Sequence, residues 1–244
     1  MGHFIAAVSA ASGSQCLSPQ GWVQGRIVQR GAVDLFKDGV GRDKGEYRAI
    51  AFRQSMKVIA FNGSPRPNGN THRALRMVLD ELEKEGIETE LVEMGAEPVA
   101  PCEACGICRQ KKDGKCKITD DRVNEYVTKI AMADGIIIGS PVYYGTMSAH
   151  TKAFVDRVGF VCGANGILKR KVGAAVAVNR RAGALATFQE INNFFLIAEM
   201  MVVGSSYWNV LFGLEQGDVE SDEEGKRIMR DLGRNMAWLL KRIV

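Results

Sequence analysis

The sequence predicts an α/β protein built on a doubly wound, five-stranded parallel sheet with strand order 2-1-3-4-5. Three observations point there. From Met56 onward, short apolar runs alternate with amphipathic stretches as βαβαβαβαβα, the pattern of a parallel sheet covered on both faces. Two of those runs, 56–61 and 134–140, empty into loops of Gly, Pro, Ser, Asn and Tyr instead of tight hairpins. A cysteine-rich loop follows the second strand. In the 2-1-3-4-5 order, ligands enter between the C-terminal ends of strands 1 and 3.

Residues 1–55 show no sustained period and are rich in Gly, Ser, Gln and Arg. They are expected to be an N-terminal extension, flexible or outside the native fold, with 56–244 as the folded domain. The apolar stretch 4–11 is faintly like the core of a signal peptide but is not expected to be one, since the first positive side chain is Arg26.

The first strand carries Val58, Ile59, Ala60 and Phe61, a run suited to burial on both faces. Its loop, 63–71, has the makings of an anion site. Gly63 and Gly69 permit close backbone approach, Ser64, Asn68, Asn70 and Thr71 offer side-chain donors, and the helix start offers unpaired N–H groups. It is neither of the two common phosphate loops. Asn70 stands where a Walker lysine belongs, and Pro65 where the second dinucleotide glycine belongs. The alternative is an ordinary strand-to-helix turn with polar caps.

The following helix, 71–85, aligns Leu75, Val78, Leu79 and Leu82, with Gly86 as its C-cap. The second strand, 87–94, sets Glu88, Glu90 and Glu93 against Ile87 and Leu91, which suits a sheet edge. A helix starting near Asp120 and Asp121 buries Val123, Tyr126, Val127 and Ile130. The third strand, 134–140, is built on Ile136, Ile137 and Ile138, and the loop after it brings two tyrosines ahead of a helix with Phe154 and Val158. A fourth strand spans 171–178, a fifth 200–204, and a last helix 222–243 with Ile228, Leu232, Met236, Leu239 and Ile243 on one face.

Composition narrows the function. With 244 residues and 46% hydrophobic content the chain can bury a large core, and no apolar run reaches the ~18 residues of a membrane span. The net charge is +4, but residues 1–55 hold 7 Lys/Arg and 4 Asp/Glu, leaving 25 against 24 for the rest. A nearly neutral body argues against nucleic acid as a partner. His3, His72 and His150 show no metal or triad spacing, and the latter two are expected on solvated helix surfaces.

Loops 63–71 and 140–147 meet at the switch point. A phosphate monoester joined to a flat ring fits that pairing, and FMN is such a ligand. Core packing is the alternative for Tyr143 and Tyr144, although Tyr-Tyr-Gly after Ser-Pro is better stacking than core sequence. Of the six cysteines, Cys102, Cys105, Cys108 and Cys116 follow C-x2-C-x2-C-x7-C. That spacing opens like a ferredoxin run, and the fourth cysteine completes a local ligand set for a [4Fe–4S] cluster. Zinc, or an empty loop, is the alternative. Cys16 and Cys162 are expected to be plain thiols. Clustered thiols in a large chain suit a reducing compartment such as the cytoplasm.

Together, GSPRPNGNT, SPVYYGTMSAHTKAFVDR and CEACGICRQKKDGKC resemble the iron–sulfur flavoproteins of the NADPH-dependent FMN reductase group, with a flavodoxin-like fold, from residue 56 to about the end. The resemblance implies that Ser64, Arg66, Asn68, Asn70 and Thr71 hold the FMN phosphate. Pro141, Val142, Tyr143, Tyr144, Gly145 and Met147 would lie along the ring system. One departure stands out. The resembled proteins follow the fourth strand with a Gly-Gly pair, whereas here only Gly183 remains, after Arg180 and Arg181.

What is implied is a flavin-dependent oxidoreductase that passes electrons between the cluster and FMN, in a homodimer or homotetramer, with ferredoxin or NAD(P)H as redox partner. The alternatives are an NAD(P)H-driven reductase of quinones, nitro or azo compounds with structural zinc, and a non-enzymatic electron carrier.

Overall fold

A computed structural model describes residues 55–244 of the chain. The extension expected over 1–55 therefore lies outside the described residues except for Ser55, and so do Cys16 and His3. The elements run β1 (Lys57–Asn62), α1 (Asn70–Lys84), β2 (Glu88–Val92), a 3-10 turn (Met94–Ala96), α2 (Ile107–Lys111), α3 (Val123–Met132), β3 (Gly135–Tyr143), β4 (Thr146–Met147), α4 (Ala149–Asn165), β5 (Val172–Asn179), α5 (Ala184–Ile197), β6 (Met201–Val202), β7 (Val210–Phe212), a second 3-10 turn (Asp218–Glu220) and α6 (Glu223–Ile243).

The sheet has the order β2-β1-β3-β5-β6, which is 2-1-3-4-5 in the counting used for the sequence. All four neighbouring pairs are parallel, with Val58 opposite Thr89 on one side and Gly135 on the other, and Ile137 opposite Ala174. Two features correct the expected five strands. β3 continues past Ser140 to Tyr143 and pairs with the antiparallel β4. The fifth position is shared: β6 pairs with the start of β5 and β7 with its end. Strand 200–204 is thus shortened to two residues, because the chain leaves the sheet and returns at Val210.

Strand side chains alternate between two cores, as the period of two requires. Val58, Ala60, Ile137, Val176 and Val178 face α1 and α6, while Ile59, Phe61, Ile136, Ile138 and Ala175 face α3, α4 and α5. The second core centres on three rings: Phe61 lies 4.7 Å from Phe154 and 5.8 Å from Tyr126 between centroids. Cys162 is wholly buried there, and burial pushes its thiol up to about 12, so it is the plain thiol expected. Among the described residues no helix is long and apolar enough to cross a membrane.

The edge strand β2 meets its partners through charge. Lys57 bridges Glu88 at 2.8 Å and Glu90 at 3.2 Å, and Lys129 bridges Glu90 at 2.6 Å. These pairs are half-exposed and each contributes at most about 1 kcal/mol.

Candidate functional site

Two concavities open on the C-terminal edge of the sheet. The first, a cleft of about 160 Å³, is lined by Ser64, Arg66, Asn70 and Thr71 from the loop after β1 and by Pro141, Val142 and Tyr143 from the end of β3. Sequence reasoning paired these loops, and the structure brings them together. Helix α1 supplies the anion-binding end: its N-cap is Gly69, no side chain caps it, and no acidic residue stands in its first turn. Its first N–H groups are left for an outside acceptor.

Buried hydroxyls stitch the two loops. Ser148, the N-cap of α4, donates its Oγ–H to Gly63 O at 2.7 Å, and its own N–H reaches Ser140 Oγ at 3.0 Å. Thr151 Oγ1 lies 3.2 Å from Ser140 Oγ. Gly63 is required here, since a Cβ on it would stand 1.8 Å from Thr151 Oγ1. Asn62, wholly buried, accepts the Ser64 N–H at 3.0 Å and donates to Glu93 Oε2 at 2.6 Å. His72 Nδ1 pairs with the other oxygen of Glu93. His72 is therefore not a solvated surface residue but part of the loop's support, because its turn of α1 faces the end of β2.

The remaining expected residues lie around the cleft in other roles. Asn70 lines the cleft and ties its amide to the segment after β7: Nδ2 donates to Glu215 O and Oδ1 accepts from Gly217 N, both at 2.8 Å. Asn68 has φ 54° and its carbonyl accepts from Gln216 at 3.2 Å. Tyr144 and Gly145, with φ 52° and 84°, form the turn between β3 and β4, as a two-residue hairpin demands. Tyr144 is fully exposed and Tyr143 is 40% exposed, so neither is a core residue. Met147 is buried in the core beneath that turn. Gly183, at φ 89°, lets the loop after β5 press on the tyrosine turn, for a Cβ there would lie 2.8 Å from Val142 Cγ1.

Asn179 at the end of β5 and Arg180 after it, in the loop the sequence sets beside the ligand, also line the cleft, and sequence reasoning missed a third wall, Gly213, Leu214 and Gln216 after β7. Asp218 Oδ2 holds this strap by accepting from Leu214 N at 2.9 Å and Glu215 N at 2.8 Å. Its trace in the sequence is Val210-Leu211-Phe212 between Asn209 and Gly213, an apolar run of three residues, shorter than the runs that read as strands.

The second concavity, of about 180 Å³, is lined by all four clustered cysteines together with Arg109, Lys117, Arg157 and Phe160. None of the four is in a disulfide. The loop winds through positive φ at Ala104, Gly106, Lys112 and Gly114, and α2 within it carries Cys108. Asn124 of α3 anchors its far end, accepting Cys116 N–H at 2.7 Å and donating to Cys116 O at 3.1 Å and Ile118 O at 3.2 Å. Burial pushes the Cys108 thiol up. Asp121, expected as a helix-start carboxylate, does accept Val123 N–H at 3.2 Å, but it also pairs with the buried Arg157. That pair holds the Asp121 carboxyl below its ordinary range against the opposing effect of burial.

The donor set suits a soft metal centre: four thiols on the wall of one cavity. Among the described residues, no three His, Cys, Asp or Glu side chains are gathered as ligands of a single ion. The two concavities are joined by structure. A Cβ on Gly95, in the turn that leads to the cysteines, would stand 2.4 Å from Gly63 C of the anion loop. Helix α4 starts at the first site with Ser148 and passes the second with Arg157, Phe160 and Val161.

A model of the NADPH-dependent FMN reductase family matches residues 56–214. An iron–sulfur flavoprotein of Methanocaldococcus jannaschii is 43% identical over 77% of this chain and 99% of its own. An iron–sulfur flavoprotein of Methanosarcina thermophila is 35% identical over 77% of this chain and 97% of its own. Among solved structures, a WrbA-like flavodoxin of Agrobacterium tumefaciens superimposes with a TM-score of 0.53 at 18% identity, covering 77% of this chain and 98% of that one. The fold is thus flavodoxin-like.

Proposed function

We propose that this chain, which belongs to the NADPH-dependent FMN reductase family and to the iron–sulfur flavoproteins within it, passes electrons between a [4Fe–4S] cluster on Cys102, Cys105, Cys108 and Cys116 and FMN in the first cleft. A flavin-dependent oxidoreductase is what the family establishes. The observation that supports the finer reading is the pair of concavities on one sheet edge, one lined by four thiols and one by an uncapped helix start and a tyrosine, with α4 lining the first of these and its N-cap Ser148 tying together the loops that build the second.

When bound, FMN supplies exchange between one- and two-electron chemistry, and the cluster supplies single electrons. The chain binds and orients. Ser64 Oγ and Thr71 face the cleft beside the open N–H groups of α1, where a phosphate is held without a lysine. Arg66 and Arg180 add positive charge to the same wall. Pro141, Val142 and Tyr143 offer a flat apolar flank for a ring, while Gly145, Met147 and Gly183 fix its shape from behind. Asn70 and Asn68 act through the strap they hold. At the second site, Cys102, Cys105, Cys108 and Cys116 would hold the cluster as thiolates, each giving up its proton on ligation.

The donor is read as ferredoxin or NAD(P)H, the assembly as a homodimer or homotetramer, and the compartment as reducing, which thiolate ligands require. Cys108→Ser is the test. Anaerobically purified variant protein is expected to lose iron, acid-labile sulfide and the broad cluster absorbance while keeping its FMN. Wild-type protein carrying stoichiometric zinc and no sulfide would replace this reading with a plain flavin reductase.

A further inference from the structure

We propose that Arg157 is a positioning residue for the cysteine site: its guanidinium ties down both ends of the cysteine segment and sets a fixed positive charge against the group that the segment holds. The proposal rests on the cluster reading above.

Arg157 comes from α4, and its side chain is wholly buried, beside an Asp121 side chain that is 5% exposed. One planar fork reaches several acceptors. Nη1 pairs with Asp121 Oδ2 and donates to Ala100 O at 3.3 Å, and Nη2 donates to Ile118 O at 3.1 Å. Ala100 precedes Cys102 by two residues and Ile118 follows Cys116 by two, so the fork brackets the whole segment. Asp121 closes the bracket by accepting Ala100 N–H at 3.0 Å. Arg157 Nε is buried without a partner, and the residue lines the cysteine cavity.

Packing alone does not explain an arginine here. Position 157 lies on the apolar face of α4 with Phe154, Val158 and Val161, where a leucine or methionine would fill the same space. A buried ion pair is seldom better for stability than such a replacement. What arginine adds is a fork that bridges two backbone carbonyls, and a charge that cannot be lost. Four thiolates concentrate negative charge in one cavity, and reduction adds more. A buried cation at its wall favours the reduced form and so raises the potential. The other cations lining the cavity are poorer candidates. Lys117 is 42% exposed and paired with Glu103 at 2.8 Å, and Arg109 is exposed with its guanidinium on the Phe160 ring.

The test uses anaerobic full-length holoprotein and two variants. Arg157→Lys keeps the charge and loses the fork. The double variant Asp121→Asn with Arg157→Gln removes both charges and keeps hydrogen-bonding groups of similar size. For Arg157→Lys we expect iron transfer to a chelator at least tenfold faster than wild type, with the cluster potential little changed. In the neutral pair the lost cation lines the cavity and the lost carboxylate does not, so we expect the reduction equilibrium to fall, by about tenfold, which is 59 mV for a one-electron couple. Flavin content should be unchanged in both. An unchanged potential and chelation rate in the neutral pair overturns the proposal. If that pair does not fold, Arg157→Lys decides, and iron loss no faster than wild type, or flavin lost along with iron, overturns it. Wild-type protein without iron and sulfide overturns the cluster reading itself, and this role with it.

Discussion

The cleft between the anion loop and the tyrosine loop and the cysteine cavity share one edge of one sheet, yet they are built in opposite ways. The cleft is assembled from the fold. Several separate segments each give it a few residues, and its tightest constraints fall on the backbone of Gly63, whose O accepts from Ser148 Oγ at 2.7 Å and whose N donates to Gly139 O at 2.8 Å. The cavity is mostly one loop, closed on one side by Arg157, Phe160 and Val161 of α4. The loop has one five-residue helix, four positive-φ residues, and anchors reaching in from α3 and α4. The difference teaches where each site is vulnerable. The cleft fails when its close approaches are filled, and the cavity fails when its external anchors are cut.

The largest effect is expected from cutting an anchor. Asp121→Ala leaves Arg157 buried and unpaired, a loss of about 3–5 kcal/mol, seen as a fall in thermal midpoint and in iron content. The same pair predicts a pH dependence. The Asp121 carboxyl is held below its ordinary 3.8 in the folded protein, so the stability it contributes is complete above that value and drains away as pH falls through the folded pKa. Acid titration should loosen the cysteine segment in wild type below about pH 4, and the Asp121→Ala profile should be flatter there. Amide exchange at residues 100 and 116–123 against pH checks this.

Filling the close approach comes next. Gly63→Ala puts a methyl group 1.8 Å from Thr151 Oγ1, and overpacking of this kind costs about 1–3 kcal/mol. Flavin should be lost from the purified protein while iron and sulfide stay. An equal loss of both would erase the contrast between the two sites.

How much of this was legible follows from range along the chain. The anion loop, the tyrosine loop and the cysteine spacing are each contiguous, so composition and spacing reveal them, and the strand order then brings the first two together. Arg157 with Asp121 was not legible as a pair. Its trace was a charged residue on the apolar face of α4, which local pattern reads as a tolerated surface arginine. His72 with Glu93 was hidden for the same reason, since the end of β2 must be placed before the two can meet. The strap was hidden by a three-residue strand, too short for the period of two to register.

The smallest effect sharpens the reading of that strap. Asn70→Ala removes the two hydrogen bonds from its amide to residues 215 and 217, and FMN should bind about tenfold more weakly, or about 1.4 kcal/mol. The cluster should be untouched. A fluorescence titration of apoprotein with FMN measures it, and unchanged affinity would show that the strap closes over the cleft without it.

The central claim is that one chain holds both redox groups on one sheet edge. Anaerobic titration of the purified protein with a low-potential reductant, followed by visible absorbance and set against measured flavin, iron and sulfide, tests it most directly. The account predicts about three electrons per chain, two taken by FMN and one by the cluster. Uptake of about two electrons per chain by protein that contains FMN but no iron would contradict it.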